Sequence, residues 1–254
     1  MLLYKYCPPE RIDVLQSGLI AYSEPLVFND PFEFELILSN SSPENVALAK
    51  ARDLATDKAE RSRLDRQIEH LQDLEGQVRL TLEQAARGVG ILSLSKTPDN
   101  LLMWAHYAKN HTGFLVGIDT ADEAWLEQQR RLGRPEEPRQ MTYSTVRPSR
   151  ARLTEITHDD IWFTKSEEWR YEQEWRVPRW LKRAARILEL PDGPIHLFEL
   201  PASAIREVIL GCRASESLRF EVNQTVFFER PCPNVKVFEA ELDPKHYRLN
   251  IPRL

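Results

Sequence analysis

Three cysteines in 254 residues, Cys7, Cys212 and Cys232, are too few for a disulfide framework, and their number is odd. None lies in a CxxC pair or at a Cys/His spacing that closes a tetrahedral zinc site, so a structural metal is not expected. A reducing cytoplasm fits that usage. No run reaches the roughly 18 apolar residues of a membrane span. The opening MLLYKYCPPE is too short and too polar for a secretory core, so a soluble, cytoplasmic protein is expected. Positive charge is not in excess: a net charge of −5 and a pI of 5.8 give no global drive toward nucleic acid or anionic lipid. Walker A, GxGxxG, GxSxG and HExxH motifs are all missing. His106 and His111 stand five residues apart and do not share a helical face, which leaves them without metal-ligand spacing.

What the chain does have is enough apolar material for a core: 42% hydrophobic residues beside 29% charged ones place it among globular proteins rather than disordered ones. Residues 90–119, GILSLSKTPDNLLMWAHYAKNHTGFLVGID, form its organising stretch. Ile91 to Ser95 alternates with the period of a strand, Ser93 and Ser95 on one face and Leu92 and Leu94 on the other. Pro98, Asp99 and Asn100 then supply a turn and a helix N-cap, Leu101 to Ala108 a short helix, and Phe114 to Ile118 a second strand. Upstream, residues 2–6 read as a first strand, and Asn29-Asp30-Pro31-Phe32-Glu33 as a turn pinned by Phe28, Phe32 and Phe34. Residues 43–87 shift to Ala, Leu, Glu, Lys, Arg and Gln, with Leu64, Ile68, Leu71, Val78 and Leu82 on one stripe. That segment is expected to be one long helix or a helical hairpin, bending near Thr56 or Gly76, inserted into the domain. Its charged side is either solvated or a surface for self-association or a protein partner. The last third is strand-rich, with a hairpin at Gly193-Pro194. Strands at both ends with helices between predict a single α+β domain over residues 1–254, built on a mixed, mainly antiparallel sheet.

Two groups carry candidate chemistry. If Glu172-Gln173-Glu174 is extended, its two carboxylates lie on one side about 7 Å apart, a pair suited to gripping a sugar hydroxyl and stabilising positive charge. A Glu/Arg ladder with Arg170 and Arg176 is the alternative reading. Trp162, Trp169, Trp175 and Trp180 crowd the same neighbourhood, as expected of a partly buried polar site. The second group is Trp104, His106 and Tyr107 on the short helix, near the hydroxyls of Ser93 and Ser95.

Leu3-Tyr4-Lys5-Tyr6, Phe28 to Glu33, Leu102 to Tyr107 with His111 to Phe114, and Trp169 to Arg176 occur in that order. Together they resemble the bacterial domain-of-unknown-function 2971 family. The order of a polar N-terminal strand, a Ser-x-Ser strand and Glu-x-Glu is also similar to ADP-ribosyltransferases of the Arg-Ser-Glu type. That second resemblance implies a split-sheet fold with NAD as substrate and no metal. It implies Tyr4 or Lys5 in the place of the nucleotide-holding arginine, Ser93 and Ser95 bracing the site, and an aromatic ring from Trp104, Tyr107 or Trp169 on the nicotinamide, with His106 beside it. Glu174 becomes the catalytic glutamate on the ribose and Glu172 the group that orients or deprotonates a protein or nucleic-acid acceptor. Arg11 lies beyond the first motif, so the family's arginine is replaced there. An effector of toxin or phage-defence type is the implied role. Two other readings stay open: a metal-independent nuclease or other hydrolase using His106, Glu172 and Glu174, and a non-catalytic nucleotide-sensing or interaction module.

Overall fold

Side chains of the first strand alternate between two cores, and that alternation sets the architecture: Leu3 and Cys7 enter one cluster, Tyr4 and Tyr6 the other. The structure, a computed structural model, describes residues 1–33, 37–38, 43–132, 137–147, 149–150, 157–190 and 193–252. In chain order the elements begin with β1 (Leu2–Cys7), α1 (Asp13–Ser17), β2 (Leu19–Tyr22), β3 (Ile37–Leu38), α2 (Pro43–Leu54) and α3 (Lys58–Arg87). The middle holds β4 (Val89–Ser95), α4 (Leu101–Tyr107), β5 (Phe114–Asp119), α5 (Glu123–Arg131), β6 (Arg139–Gln140), β7 (Thr142–Ser144), β8 (Ser149–Arg150), α6 (His158–Trp162) and β9 (Thr164–Ser166). It ends with β10 (Glu174–Trp180), β11 (Arg186–Leu188), β12 (Ile195–Glu199), β13 (Ile205–Leu210), α7 (Glu216–Gln224), β14 (Lys236–Glu239), β15 (Glu241–Leu242) and β16 (Leu249–Asn250).

These elements divide into two compact units. The first comprises Met1–Ser23, Gly90–Met141 and Glu168–Leu254. Its sheet runs β14-β13-β5-β1-β4-β10-β6. β13 pairs β14 in parallel, whereas β5 pairs both β1 and β13 antiparallel, so the expected mixed α+β sheet is present. Both faces are covered. Val14 and Leu15 of α1, Trp125 of α5, and Leu218 and Val222 of α7 join Leu92, Leu94, Val116 and Val208 in one core. Met103 and Trp104 of α4 pack with Tyr4, Tyr6, Leu115 and Ile209 in the other. The predicted hairpin around Gly193-Pro194 is the β11–β12 antiparallel pair, with β2 added alongside. Within the C-terminal third, α7 is capped by Ser215 and followed by a π-helical turn at Thr225–Glu229.

The second unit comprises Glu24–Val89 and Thr142–Glu167. Its helical segment is two helices that break at residues 55–57, beside the expected Thr56, while Gly76 stays inside α3. Leu64, Ile68 and Leu71 are half-buried, and Arg52 of α2 meets Asp65 of α3 at 3.9 Å. β7 pairs β9 and β3 pairs β8, both in parallel. Pro25–Val27 forms a 3₁₀ turn, with Pro25 fixing φ at its first position. The Asp30 carboxylate accepts the Phe32 N–H at 2.9 Å, which is the side-chain turn its position predicted. Phe34 lies outside the described residues.

Candidate functional site

The alternation of β4 places Leu92 and Leu94 in the core and turns Ser95 toward the segment that precedes β10. That segment is not extended. Glu167–Glu172 is a 3₁₀ helix, Gln173 takes a left-handed φ of 44°, and only at Glu174 does the strand begin. The expected side-by-side carboxylates are therefore corrected: a left-handed residue between them redirects the chain, and the strand periodicity behind the 7 Å spacing does not apply.

Each carboxylate has its own partner. Glu172, buried, accepts the Tyr107 hydroxyl at 2.5 Å. Glu174 and Arg176 alternate onto one face of β10 and form a two-pronged ion pair, Nε to Oε1 at 2.8 Å and Nη2 to Oε2 at 3.2 Å. Both are almost fully buried, and a charge-assisted fork of this kind fixes a carboxylate in its ionised form. Ser95 donates to the Glu172 carbonyl at 2.6 Å, so it braces the backbone of the acidic segment.

Tyr107 closes the last turn of α4, whose start is capped by Asn100 accepting the Leu102 and Met103 N–H groups. His106, exposed, has its Nδ1 3.1 Å from the Tyr171 hydroxyl. A row of rings, Trp169, Tyr171, His106 and Tyr107, continues outward with successive centroids 6.1, 6.1 and 6.2 Å apart. Trp104 belongs to the core: it is fully buried, and its indole N–H donates to the Pro98 carbonyl at 2.8 Å. Tyr4 likewise turns toward β13, where its hydroxyl donates to Glu207 at 3.0 Å.

Lys5 lies on the same face of β1 as Leu3 and Cys7, with Nζ 3.2 Å from the Ser93 carbonyl. Burial pushes its pKa below the ordinary 10.5; Cys7 draws it back up, Arg11 presses it down again, and Glu174 is near enough to raise it. Thus Ser95, Tyr107 and Glu172 bond directly, Glu174 follows at once in the chain, and Lys5 connects through β4. Among the described residues no group of three or more His, Cys, Asp or Glu side chains has metal-binding geometry.

Arg176 and Asn100 stand beside these residues; the sequence marks Arg176 as a ladder partner and Asn100 as a helix cap, and neither as a site residue. The i to i+2 spacing of Glu174 and Arg176 was the available signal, and the Glu/Arg ladder is what the structure holds at Glu174. Asn100 was legible as a cap, but its second bond, Nδ2 to the Tyr171 carbonyl at 3.3 Å, joins residues 71 positions apart.

A mixed sheet with a carboxylate, tyrosine and arginine cluster beside its central strands is the class of protein that fold and site define. Residues 103–177, from α4 into β10, match the family model described as Protein of unknown function (DUF2971). Tyr107, Glu172, Glu174 and Arg176 fall inside the matched stretch; Lys5, Ser93 and Ser95 precede it. No curated protein and no solved structure matches the chain. No described helix is long and apolar enough to cross a membrane.

Proposed function

We propose that this chain consumes NAD in an ADP-ribosyltransferase-like reaction. The observation that carries the reading is that Ser95 bonds the main-chain carbonyl of Glu172 and Tyr107 its carboxylate, directly before the Glu174–Arg176 ion pair. Ser95 belongs to the Ser-x-Ser strand and Glu172 and Glu174 to the Glu-x-Glu segment that follows it in the chain, two of the three regions on which the resemblance rests. NAD supplies an activated ribosyl group: the C1′–N bond to nicotinamide breaks, its electron pair leaves with neutral nicotinamide, and positive charge develops on the ribose.

Glu174, kept anionic by Arg176, is suited to stabilise that charge and to accept from a ribose hydroxyl. Glu172, with Tyr107 on Oε1, takes the proton of the acceptor as its lone pair closes on C1′. Lys5 has three N–H donors, of which the Ser93 carbonyl takes one, and its cation suits a phosphate oxygen. The part-exposed rings of Trp169 and Tyr107 suit a nicotinamide face.

The test is incubation of purified protein with labelled NAD and cell extract, following nicotinamide release and label transfer. Glu174→Gln is expected to lower the rate by about 10²- to 10³-fold, the size of a lost electrostatic contact to a transition state. Absence of both release and transfer with the wild type overturns the reading, and nucleic-acid degradation lost in His106→Ala favours a hydrolase instead.

A further inference from the structure

We infer that Asn100 and Ser95 are positioning residues, the two side-chain arms of a clamp that sets where the Glu172 carboxylate meets Tyr107; this rests on the proposed reading of the site. Three successive carbonyls of the acidic segment are held by one short connection between β4 and α4. Asn100 Nδ2 donates to Tyr171 O at 3.3 Å, Ser95 Oγ to Glu172 O at 2.6 Å, and the Lys96 N–H to Gln173 O at 3.1 Å. The connection is itself fixed. Tyr6 of β1 donates to Thr97 O at 2.8 Å, the Trp104 indole to Pro98 O at 2.8 Å, and the Thr97 N–H to Ser95 Oγ at 3.1 Å.

The geometry gives this clamp a purpose beyond holding a loop. A left-handed residue such as Gln173 is strained and persists where surrounding bonds over-determine it. Here those bonds are the carbonyl contacts to Tyr171, Glu172 and Gln173 itself. Asn100 is also the N-cap of α4, so the same side chain orients the helix that carries Tyr107 and the segment that carries Glu172. Donor and acceptor of the 2.5 Å bond are thus indexed to one residue. Neither Asn100 nor Ser95 bonds either reacting carboxylate, which makes their role one of placement.

Asn100→Asp separates the two arms of that residue. Aspartate caps a helix as well as asparagine does, but it has no N–H to give Tyr171 O. We expect Asn100→Asp and Ser95→Ala each to lower kcat for NAD consumption about tenfold or more with KM within about twofold, since displacements near 1 Å at a reacting group reach ~10²-fold. A second readout needs no activity: the Tyr107 hydroxyl proton, assigned by its loss in Tyr107→Phe, should give a slowly exchanging downfield resonance in the wild type that vanishes in both clamp variants. Thermal melting of each variant reports folding. Folded variants that keep the resonance and the wild-type kcat overturn the clamp. A wild type that consumes no NAD overturns the enzymatic reading, and the proton resonance then decides the clamp by itself.

Discussion

The two neighbours of β1 are attached to it in opposite ways. Toward β5 it pairs residue by residue, from Leu2 opposite Asp119 to Cys7 opposite Phe114, and the backbone satisfies itself. Toward β4 the register holds at Tyr4 and Ser95 alone among the described residues. There side chains do what a ladder would do: Lys5 Nζ meets the Ser93 carbonyl, Tyr6 reaches Thr97 O, and Ser95 turns away to Glu172. A closed ladder leaves nothing for chemistry, whereas an opened one needs polar side chains to satisfy its backbone. Those side chains are the ones gathered around the acidic segment.

The largest expected effect lies on the opened side. Arg176→Ala removes the two-pronged partner of the buried Glu174 carboxylate and should cost about 3–5 kcal/mol in urea denaturation. A loss under about 1 kcal/mol breaks the view that this side depends on paired charge. On the ladder side, Gly113→Ala places a Cβ 2.1 Å from the Cys7 carbonyl oxygen, a backbone atom that cannot swing aside. About 1–3 kcal/mol is expected, with no change specific to the acidic segment.

Lys5→Met sharpens the comparison through pH. The folded pKa of Lys5 lies below its unfolded value of 10.5, so between those values the unfolded chain binds the extra proton and stability rises with pH. Its contribution is present above 10.5 and lost as pH falls through the folded value. Cys7 runs the other way: burial raises its thiol from 9.0 to about 11, so its contribution is complete below 9.0 and is lost as pH climbs through about 11. Subtracting Lys5→Met from wild type isolates the lysine, and their stability difference should move in favour of wild type as pH rises toward 10.5. A flat difference contradicts the buried ammonium. The smallest effect belongs to Glu10→Gln, which removes an exposed contact with Lys109 at 3.0 Å; about 0.5 kcal/mol or less should be lost, and less still in high salt.

Sequence pattern reached the local features of this comparison and stopped at the long-range ones. Leu92 and Leu94 against Ser93 and Ser95 declared the faces of β4, because period-two alternation is written in adjacent residues. Asn100 declared the start of α4 for the same local reason. Gln173 gave no such signal: a left-handed glutamine is imposed by bonds from residues 95–100, and an isolated Glu-Gln-Glu reads as extended. Trp104 looked like a ring for a ligand because an aromatic beside a histidine carries no mark of its burial. The second unit was hidden too, since Thr142–Glu167 joins residues 24–89 through parallel pairs such as Ile37 with Ser149 that no periodicity announces.

The rate of nicotinamide release from NAD by wild type beside Glu172→Gln and Gly113→Ala tests the central claim most directly. Release by wild type, loss of about a hundredfold in Glu172→Gln, and retention in folded Gly113→Ala is the predicted pattern, with chemistry on the opened side of β1. A wild type that leaves NAD intact, or a Glu172→Gln protein as fast as wild type, contradicts it.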